Sequence, residues 1–176
     1  MKHKLIIFTD IGDTIIDEGT EVKETPFGVV LHADCIPGAK ETMLALHESG
    51  YSICMVADGL VQSFMNTMSE NGMKHIFNAF SISEEFGKEK PAPIMFQKAM
   101  ERMGLTDADK SRVIMVGNNL KRDIVGANRF GIRSVLMSWS PRYNMQPSSA
   151  EETPDYTVQN PADLLALVEQ LDAQIQ

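Results

Sequence analysis

Short runs of consecutive apolar residues alternate with longer segments of helical periodicity along most of the chain. The apolar runs are "KLIIF", "YSICMVA", "RVIMVG" and "IRSVLMS". Segments such as "AKETMLALHES" lie between them, and in this one Ala39, Met43 and Leu46 recur at helical spacing. Continuous apolar strands are typical of a parallel sheet that is buried on both faces. The pattern therefore predicts a three-layer, Rossmann-like α/β fold, with a central parallel sheet and helices on both of its faces.

The length of the chain, 176 residues, suits one domain of ordinary size, and we expect a single domain over residues 1–176. No apolar run approaches the roughly 18 residues that span a bilayer. The start "MKHKLIIFTD" has only four consecutive apolar residues before an acidic one, too few for the apolar region of a signal peptide. We therefore expect a cytoplasmic protein that does not bind membranes.

The net charge of the chain limits the classes of partner that it can bind. The formal net charge of −8 disfavours nucleic acids and anionic membranes, because such partners are recruited by a positive field. A small phosphorylated ligand is compatible with this charge, since it needs only a local site. Cys35 and Cys54 occur in no metal-binding or redox spacing and suit a reducing compartment.

Polar side chains follow four of the apolar runs, at the points where the predicted strands end. Asp10 follows "LIIF" and Asp58 follows "ICMVA". Asn118 and Asn119 follow "VIMVG", and Ser138 follows "SVLM". Because ligands of parallel α/β sheets bind outside the carboxyl ends of the strands, these residues predict a site at one edge of the sheet.

The first of these strand ends carries the stretch "TDIGDTI". A carboxylate at such a point can act as a nucleophile where a cation neutralises the charges that meet there. In this stretch the chain resembles the haloacid dehalogenase superfamily, in which an apolar strand is followed by Asp-x-Asp-Gly-Thr. The resemblance implies that Asp10 is the catalytic nucleophile. Gly12 stands where the family has its second Asp, and Asp13 stands where the family has Gly.

Three further motifs of the family have counterparts, so the resemblance covers nearly the whole chain. "GKEKP" is similar to the Gly-x-x-Lys-Pro motif and supplies Lys90. "VGNNLKRDI" is similar to Gly-Asp-x-x-x-x-Asp, with Asn118 in place of the first acid and Asp123 as the second. "MVADG" corresponds to the second motif, with Ala57 in place of a hydroxyl residue.

The resemblance also implies a role for each matching residue. Mg²⁺ would be the cofactor, because the site offers the oxygen ligands that this ion prefers. Lys90 would balance the negative charge around the phosphoryl group. The metal ligands would be Asp10, the Gly12 carbonyl, Asn118 and Asp123. The phosphate would be bound by Lys90 and at residues Ala57, Asp58 and Gly59, where the last two backbone amides would form an anion cradle at a helix start.

The second Asp of the first motif protonates the leaving oxygen in the family and later activates water. Gly12 cannot move a proton, and such general acid–base help is worth about 10²- to 10⁴-fold in rate. Three residues are candidates for the missing group: Asp13, one position further on, Glu18 in the following loop, and His32. The sequence alone does not choose among them, and Asp13 is the one that we assign to the catalytic set.

Residues 15–38 separate the first motif from its helix, a distance too short for the mobile cap domain of many family members, and we expect residues 15–36 to form a short flap or hairpin in its place. The piece "EVKETPFGVVLHA" contains Pro and Gly and predicts a short flap or hairpin beside the site. The resemblance implies that a protein without a cap either accepts large substrates or closes its site with a neighbouring subunit of a homo-oligomer.

These observations predict a Mg²⁺-dependent hydrolase that acts on a small phosphorylated metabolite through an aspartyl-phosphate on Asp10. The alternative is a regulatory protein that binds phosphate and Mg²⁺ without turnover, which Gly12, Ala57 and Asn118 motivate. Dehalogenation or phosphonate cleavage is a third hypothesis and ranks last, because family members with these activities usually rely on cap residues.

Overall fold

The computed structural model describes residues 5–175, which form eight strands and five α-helices joined by loops, short 3₁₀ turns and one π-helical turn, Leu120–Ile124. The strands are β1 (Ile6–Thr9), β2 (Val22–Lys23), β3 (Val30–His32), β4 (Ser52–Ala57), β5 (Ala79–Ile82), β6 (Val113–Gly117), β7 (Arg133–Met137) and β8 (Tyr156–Val158). The helices are α1 (Ala39–Glu48), α2 (Val61–Glu70), α3 (Pro93–Arg102), α4 (Val125–Phe130) and α5 (Pro161–Ala173).

Six strands form one parallel sheet in the order β5-β4-β1-β6-β7-β8. Strand β1 lies inside the sheet, where Phe8 is opposite Cys54 of β4 and Met115 of β6. All four residues of β1 are buried. This burial on both faces explains why the strand is a continuous apolar run, and it confirms the prediction of a parallel sheet.

Alternate side chains of the sheet pack against two helical layers. Ile7 of β1 belongs to a core with residues of α1, α2 and α5, whereas Ile6 and Phe8 belong to a core with residues of α3 and α4. Successive side chains of a strand point to opposite faces, so one strand contributes to both cores. The arrangement confirms the predicted α/β fold with helices on both faces of the sheet.

Helices in the described part of the chain are short. The longest, α5, has 13 residues and begins at Pro161, with Asn160 and Asp163 forming a reciprocal cap at its start. A bilayer requires about 20 residues of helix. Within residues 5–175, no helix combines the length and the apolar character that a membrane span needs.

Strands β2 and β3 pair as an antiparallel hairpin apart from the main sheet, within the predicted flap region 15–36. Helix α2 holds β3 by side-chain hydrogen bonds to its backbone. The Val30 amide donates to Ser63 Oγ at 2.9 Å, and Asn66 Nδ2 donates to the Val30 carbonyl at 2.9 Å. Farther along, the Ala33 amide donates to Glu70 Oε1 at 2.9 Å. The polar face of α2 therefore pairs backbone groups of the hairpin and fixes its position.

Candidate active site

The carboxyl ends of the three adjacent strands β4, β1 and β6 open into a cleft of about 230 Å³. Asp10, Asp58 and Asn118 follow these strands and line the cleft, as the sequence predicted. Ser138 follows β7 and is not among the lining residues, because its amide and hydroxyl both bond the carbonyl of Val158. The topology of the sheet is thus sufficient to bring most of the predicted residues together.

Lys90 is at the floor of the cleft, between two carboxylates. Its Nζ lies 2.9 Å from Oδ1 of Asp10 and 2.7 Å from Oδ1 of Asp123, and it donates to the Val56 carbonyl at 2.7 Å. The lysine side chain is only 1% exposed. Burial by itself would lower the Lys90 pKa, but the charges of Asp10 and Asp123 outweigh it and raise this pKa above its usual range. Lys90 is therefore a fixed positive charge.

Two further contacts position Lys90 and Asp123. Asp58 Oδ1 accepts a hydrogen bond from the Lys90 amide at 2.9 Å, and Asp123 Oδ2 accepts one from the Asn119 amide at 3.0 Å. Asp123 packs directly against Gly117 at the end of β6, where an added Cβ would overlap its carboxylate. Burial raises the pKa of Asp123, and Lys90 opposes this shift. Gly117 is therefore required for the approach of Asp123 to Lys90.

The residues that the resemblance assigns to Mg²⁺ fit this ion chemically. Asn118 is buried, and its Nδ2 has no hydrogen-bond partner among the described residues. Since the two ends of an amide are exchanged by rotation, this side chain can turn its oxygen toward a cation without breaking a bond of its nitrogen. Within residues 5–175, no three His, Cys, Asp or Glu side chains form a metal cluster. The set would therefore combine the carboxylates of Asp10 and Asp123 with an amide oxygen and the Gly12 carbonyl.

Asp13 does not line the cleft, and this corrects its place in the predicted catalytic set. The residue is fully buried and has a positive φ of 47°. Its carboxylate accepts hydrogen bonds from the Glu18 amide at 3.0 Å, from Ser140 Oγ at 3.0 Å and from Nε of Arg142. Asp13 thus anchors the loop that contains Arg142, and its side chain is buried outside the lining of the cleft.

His32 does not line the cleft either. Its side chain is 53% exposed on β3, and its Nδ1 lies 2.8 Å from Oε2 of Glu70. This hydrogen bond and the charge of Glu70 raise the His32 pKa. Two of the three candidates for the missing acid therefore lie outside the lining of the cleft.

Glu18, the third candidate, is the one that lines the cleft. Its carboxylate lies against Gly12, so that a Cβ at position 12 would overlap Oε1 and lie 2.8 Å from Cδ of Glu18. Burial raises the pKa of Glu18, and the neighbouring charge of Asp13 adds to this effect. The carboxylate thus occupies the space that a side chain at position 12 would need.

The predicted phosphate cradle needs a correction. Ala57 is completely buried within β4 and does not line the cleft. The Gly59 amide donates to Ser83 Oγ at 2.9 Å, and the Val61 amide at the start of α2 donates to Glu84 Oε2 at 2.7 Å. The amides of Gly59 and Val61 therefore already have protein acceptors. Of the predicted phosphate-binding residues, Lys90, Asp58 and Gly59 line the cleft.

The sequence interpretation missed several residues of the cleft wall. Arg122 precedes Asp123, and its Nη1 lies 3.5 Å from Oδ2 of Asp58 and 3.4 Å from Oε2 of Glu89. Tyr143 enters the cleft from the loop after β7. Arg122 was detectable as the neighbour of a motif residue, whereas no local signal marked Tyr143. The hairpin adds two further lining residues of opposite charge, Glu21 and Lys23.

Comparison with known proteins agrees with this geometry. The chain matches the model of the haloacid dehalogenase-like hydrolase family over residues 10–137. It is 33% identical over 140 residues to a glyceraldehyde 3-phosphate phosphatase of Methanopyrus kandleri, covering 80% of this chain and 57% of the relative. It is 31% identical over 137 residues to a ribulose-1,5-bisphosphate 5-phosphatase of Halopiger xanaduensis, covering 76% of this chain and 56% of the relative.

Solved structures show the same fold. The crystal structure of a phosphatase of this superfamily from Thermococcus onnurineus has a TM-score of 0.74 at 15% identity and covers 96% of this chain and 98% of that one. The chain spans little more than half the length of the two archaeal relatives. The family match spans Asp10, Lys90 and Asp123. The chain therefore belongs to the haloacid dehalogenase-like hydrolase family.

Proposed function

We propose that the protein hydrolyses phosphomonoesters with Asp10 as the nucleophile. The observation that carries this proposal is the buried Lys90 ammonium, held within 2.9 Å of Asp10 Oδ1 and 2.7 Å of Asp123 Oδ1 at the floor of an open cleft. The Asp10 carboxylate is 16% exposed and faces that cleft, so a substrate can reach it. Relatives named as phosphatases support the same reaction class.

Each residue has a defined task in this reaction. An Asp10 oxygen attacks phosphorus and forms an aspartyl-phosphate, while the ester oxygen leaves. Lys90 orients the Asp10 carboxylate and offsets the negative charge that gathers when a phosphoryl group enters. Mg²⁺ would be held by Asp10, Asn118, Asp123 and the Gly12 carbonyl, and would neutralise the charge of the phosphoryl oxygens. Asp58 supports the site indirectly, because it binds the Lys90 backbone.

The dimensions and charges of the cleft favour a small phosphorylated metabolite. A volume of about 230 Å³ is at the small end for ligand sites. The hairpin covers one side of the cleft with Val30 and Lys23, and we propose that it takes the place of a cap domain within a single domain. We also place the protein in the cytoplasm, because its cysteines, Cys35 and Cys54, are both unpaired.

The test is Mg²⁺-dependent release of phosphate from a panel of phosphomonoesters by the wild type and by Asp10→Asn. We expect turnover that disappears in this variant and after chelation, and that returns when Mg²⁺ is restored. Asp34→Asn is the matched control, because Asp34 is 69% exposed on the hairpin and does not line the cleft. Equal background rates for the wild type and Asp10→Asn would refute the proposal.

The second candidate function is binding of phosphate and Mg²⁺ without turnover. Gly12 and Asn118 favour it, because Gly12 has no side chain to transfer a proton and Asn118 brings no charge to a metal ion. Calorimetric titration of Mg²⁺ and inorganic phosphate separates the two functions. Binding without hydrolysis of any ester in the panel would establish the second one.

A further inference from the structure

The environment of Gly12 contains a carboxylate that the family motif does not supply. The three heavy atoms nearest to a Cβ at this position all belong to the Glu18 side chain: Oε1, Cδ and Cγ. Glu18 lines the cleft together with Asp10 and Lys90. A carboxylate of the cleft therefore occupies the side-chain space of position 12, where the family has the second Asp of its first motif, although it comes from a different position of the chain.

The loop that carries Glu18 is built to hold it there. The Glu18 amide donates to Asp13 Oδ1 at 3.0 Å, and Asp17 caps the following 3₁₀ turn through the Gly19 amide at 2.8 Å. Arg142 pairs with Asp13, and its Nε lies 3.4 Å from Oε2 of Glu18. The buried Asp13 thus serves as a support for the Glu18 backbone, and Arg142 contacts both carboxylates.

We propose that Glu18 performs the two proton transfers that the missing carboxylate of position 12 performs elsewhere in the family. The inference rests on the proposed phosphatase function and identifies a catalytic residue for it. Its basis is the position of the carboxylate: it fills the side-chain space of Gly12 and faces the cleft, whereas Asp13 and His32 do not line the cleft.

The proposed reaction has two steps, and Glu18 moves one proton in each. In the first, an Asp10 oxygen bonds to phosphorus, and the bond between phosphorus and the ester oxygen breaks. The leaving oxygen keeps the electron pair and takes the proton of the Glu18 carboxyl group. In the second, the Glu18 carboxylate accepts a proton from water while the water oxygen bonds to phosphorus. The bond between phosphorus and Asp10 breaks, the electrons return to the Asp10 carboxylate, and inorganic phosphate leaves.

The test compares Glu18→Gln with the wild type on two substrates: p-nitrophenyl phosphate, whose leaving group is an acidic phenol, and an alkyl phosphomonoester. With the alkyl ester we expect kcat to fall about 10²- to 10⁴-fold, because the poor leaving group needs the proton. With p-nitrophenyl phosphate we expect a burst of nitrophenol equal to the enzyme concentration and then slow turnover, because only the water step needs Glu18. Intact-mass measurement should show the phosphorylated protein accumulating in this variant.

A second variant, in which the carboxylate is relocated to position 12, distinguishes the loss of a catalytic group from the loss of structure. Gly12→Asp combined with Glu18→Ala returns a carboxylate to position 12 and removes the side chain that would collide with it. We expect this double variant to recover most of the alkyl-ester activity that Glu18→Ala loses. Glu24→Gln, which changes an exposed acid of the same hairpin outside the cleft, should behave as the wild type.

Three outcomes would overturn the inference. In the first, Glu18→Gln keeps the full rate on the alkyl ester. In the second, Glu18→Gln loses activity on both substrates equally and shows no burst, and the relocation variant recovers no activity on the alkyl ester. In the third, the wild type and Asp10→Asn are equally inactive on every ester, which shows that the proposed function itself fails.

Discussion

Removal of the Lys90 charge tests the electrostatic structure of the site. Lys90→Met keeps much of the side-chain volume but leaves the carboxylates of Asp10 and Asp123 without their shared cation. Asp123 is 1% exposed, so water does not replace the lost partner. Removing one member of a buried ion pair costs about 3–5 kcal/mol. Because native domains are stable by about 5–15 kcal/mol, the variant should lose a large part of its free energy of unfolding.

Urea unfolding in the presence of a chelator measures this loss as a lower midpoint at an unchanged slope. Titration with Mg²⁺ should then raise the midpoint of Lys90→Met more than that of the wild type. The reason is that the ion would supply the positive charge that the two carboxylates have lost, and a ligand that binds only the folded state stabilises it.

Lys98→Met is the matched control for this experiment. Lys98 is 34% exposed and pairs with Glu101 one helical turn away, and such surface pairs contribute about 0–1 kcal/mol. If the two variants lost equal stability, or if Mg²⁺ stabilised Lys90→Met no more than the wild type, the view of Lys90 as the essential counter-ion would be refuted.

Two further predictions concern the neighbourhood of the cleft. Gly117→Ala should lower the free energy of unfolding by about 1–3 kcal/mol and weaken Mg²⁺ binding, because the new methyl group would displace the Asp123 carboxylate; an unchanged midpoint and unchanged calorimetric affinity would contradict this. The raised pKa of His32, caused by its hydrogen bond to Glu70, should fall toward the ordinary value in Glu70→Gln, as measured by NMR titration of the ring. The protonated ring is favoured in the folded state, so its stabilising effect is complete below the ordinary pKa and disappears as the pH rises through the raised one. Equal His32 pKa values in the two proteins would show that Glu70 is not the cause.

The sequence was sufficient to predict the fold and the residues at the floor of the cleft. Continuous apolar runs have few ways to be buried, and a parallel sheet brings their carboxyl ends to one edge. The positions of Asp10 and Asn118 follow from this rule alone. Lys90 comes from the loop after β5, and only its motif, not a periodic pattern, predicted that it would reach Asp10.

The sequence could not identify the residue that replaces the missing acid of the first motif, because its identity depends on loop geometry and on a partner that is distant in the chain. Asp13 and Glu18 lie five residues apart in the same loop, and both are acidic. Asp13 turns away from the cleft in a positive-φ conformation and pairs with Arg142, which is 129 residues later in the chain. Neither the backbone conformation nor a pairing of that sequence separation can be inferred from a local pattern.

The Gly59 part of the phosphate cradle was mispredicted for a similar reason. A helix start after a strand is ordinarily a site of free amides. Here the residues that follow the neighbouring strand β5 supply the acceptors, since Ser83 takes the Gly59 amide and Glu84 takes the Val61 amide. These amides follow β4, whereas their acceptors follow β5. The two strands are neighbours in the sheet, but the segments are separated in the chain, so the pairing has no local sequence signal.

When the first motif is considered alone, Gly12 is the loss of a catalytic acid, but in the structure its missing side chain leaves room for the Glu18 carboxylate. Any side chain at this position would overlap the Glu18 carboxylate. Conversely, the Glu18 carboxylate can lie against position 12 only because this residue has no Cβ. The two residues therefore form one arrangement, in which a side chain can be added at position 12 without moving Glu18 only when Glu18 is shortened as well. If the chain had lost the acid of position 12 without a replacement, a methyl group at this position would meet no functional side chain. We therefore expect Gly12→Ala to displace the Glu18 carboxylate and disturb the site in the wild type. The same substitution should be tolerated in Glu18→Ala, where that carboxylate is absent.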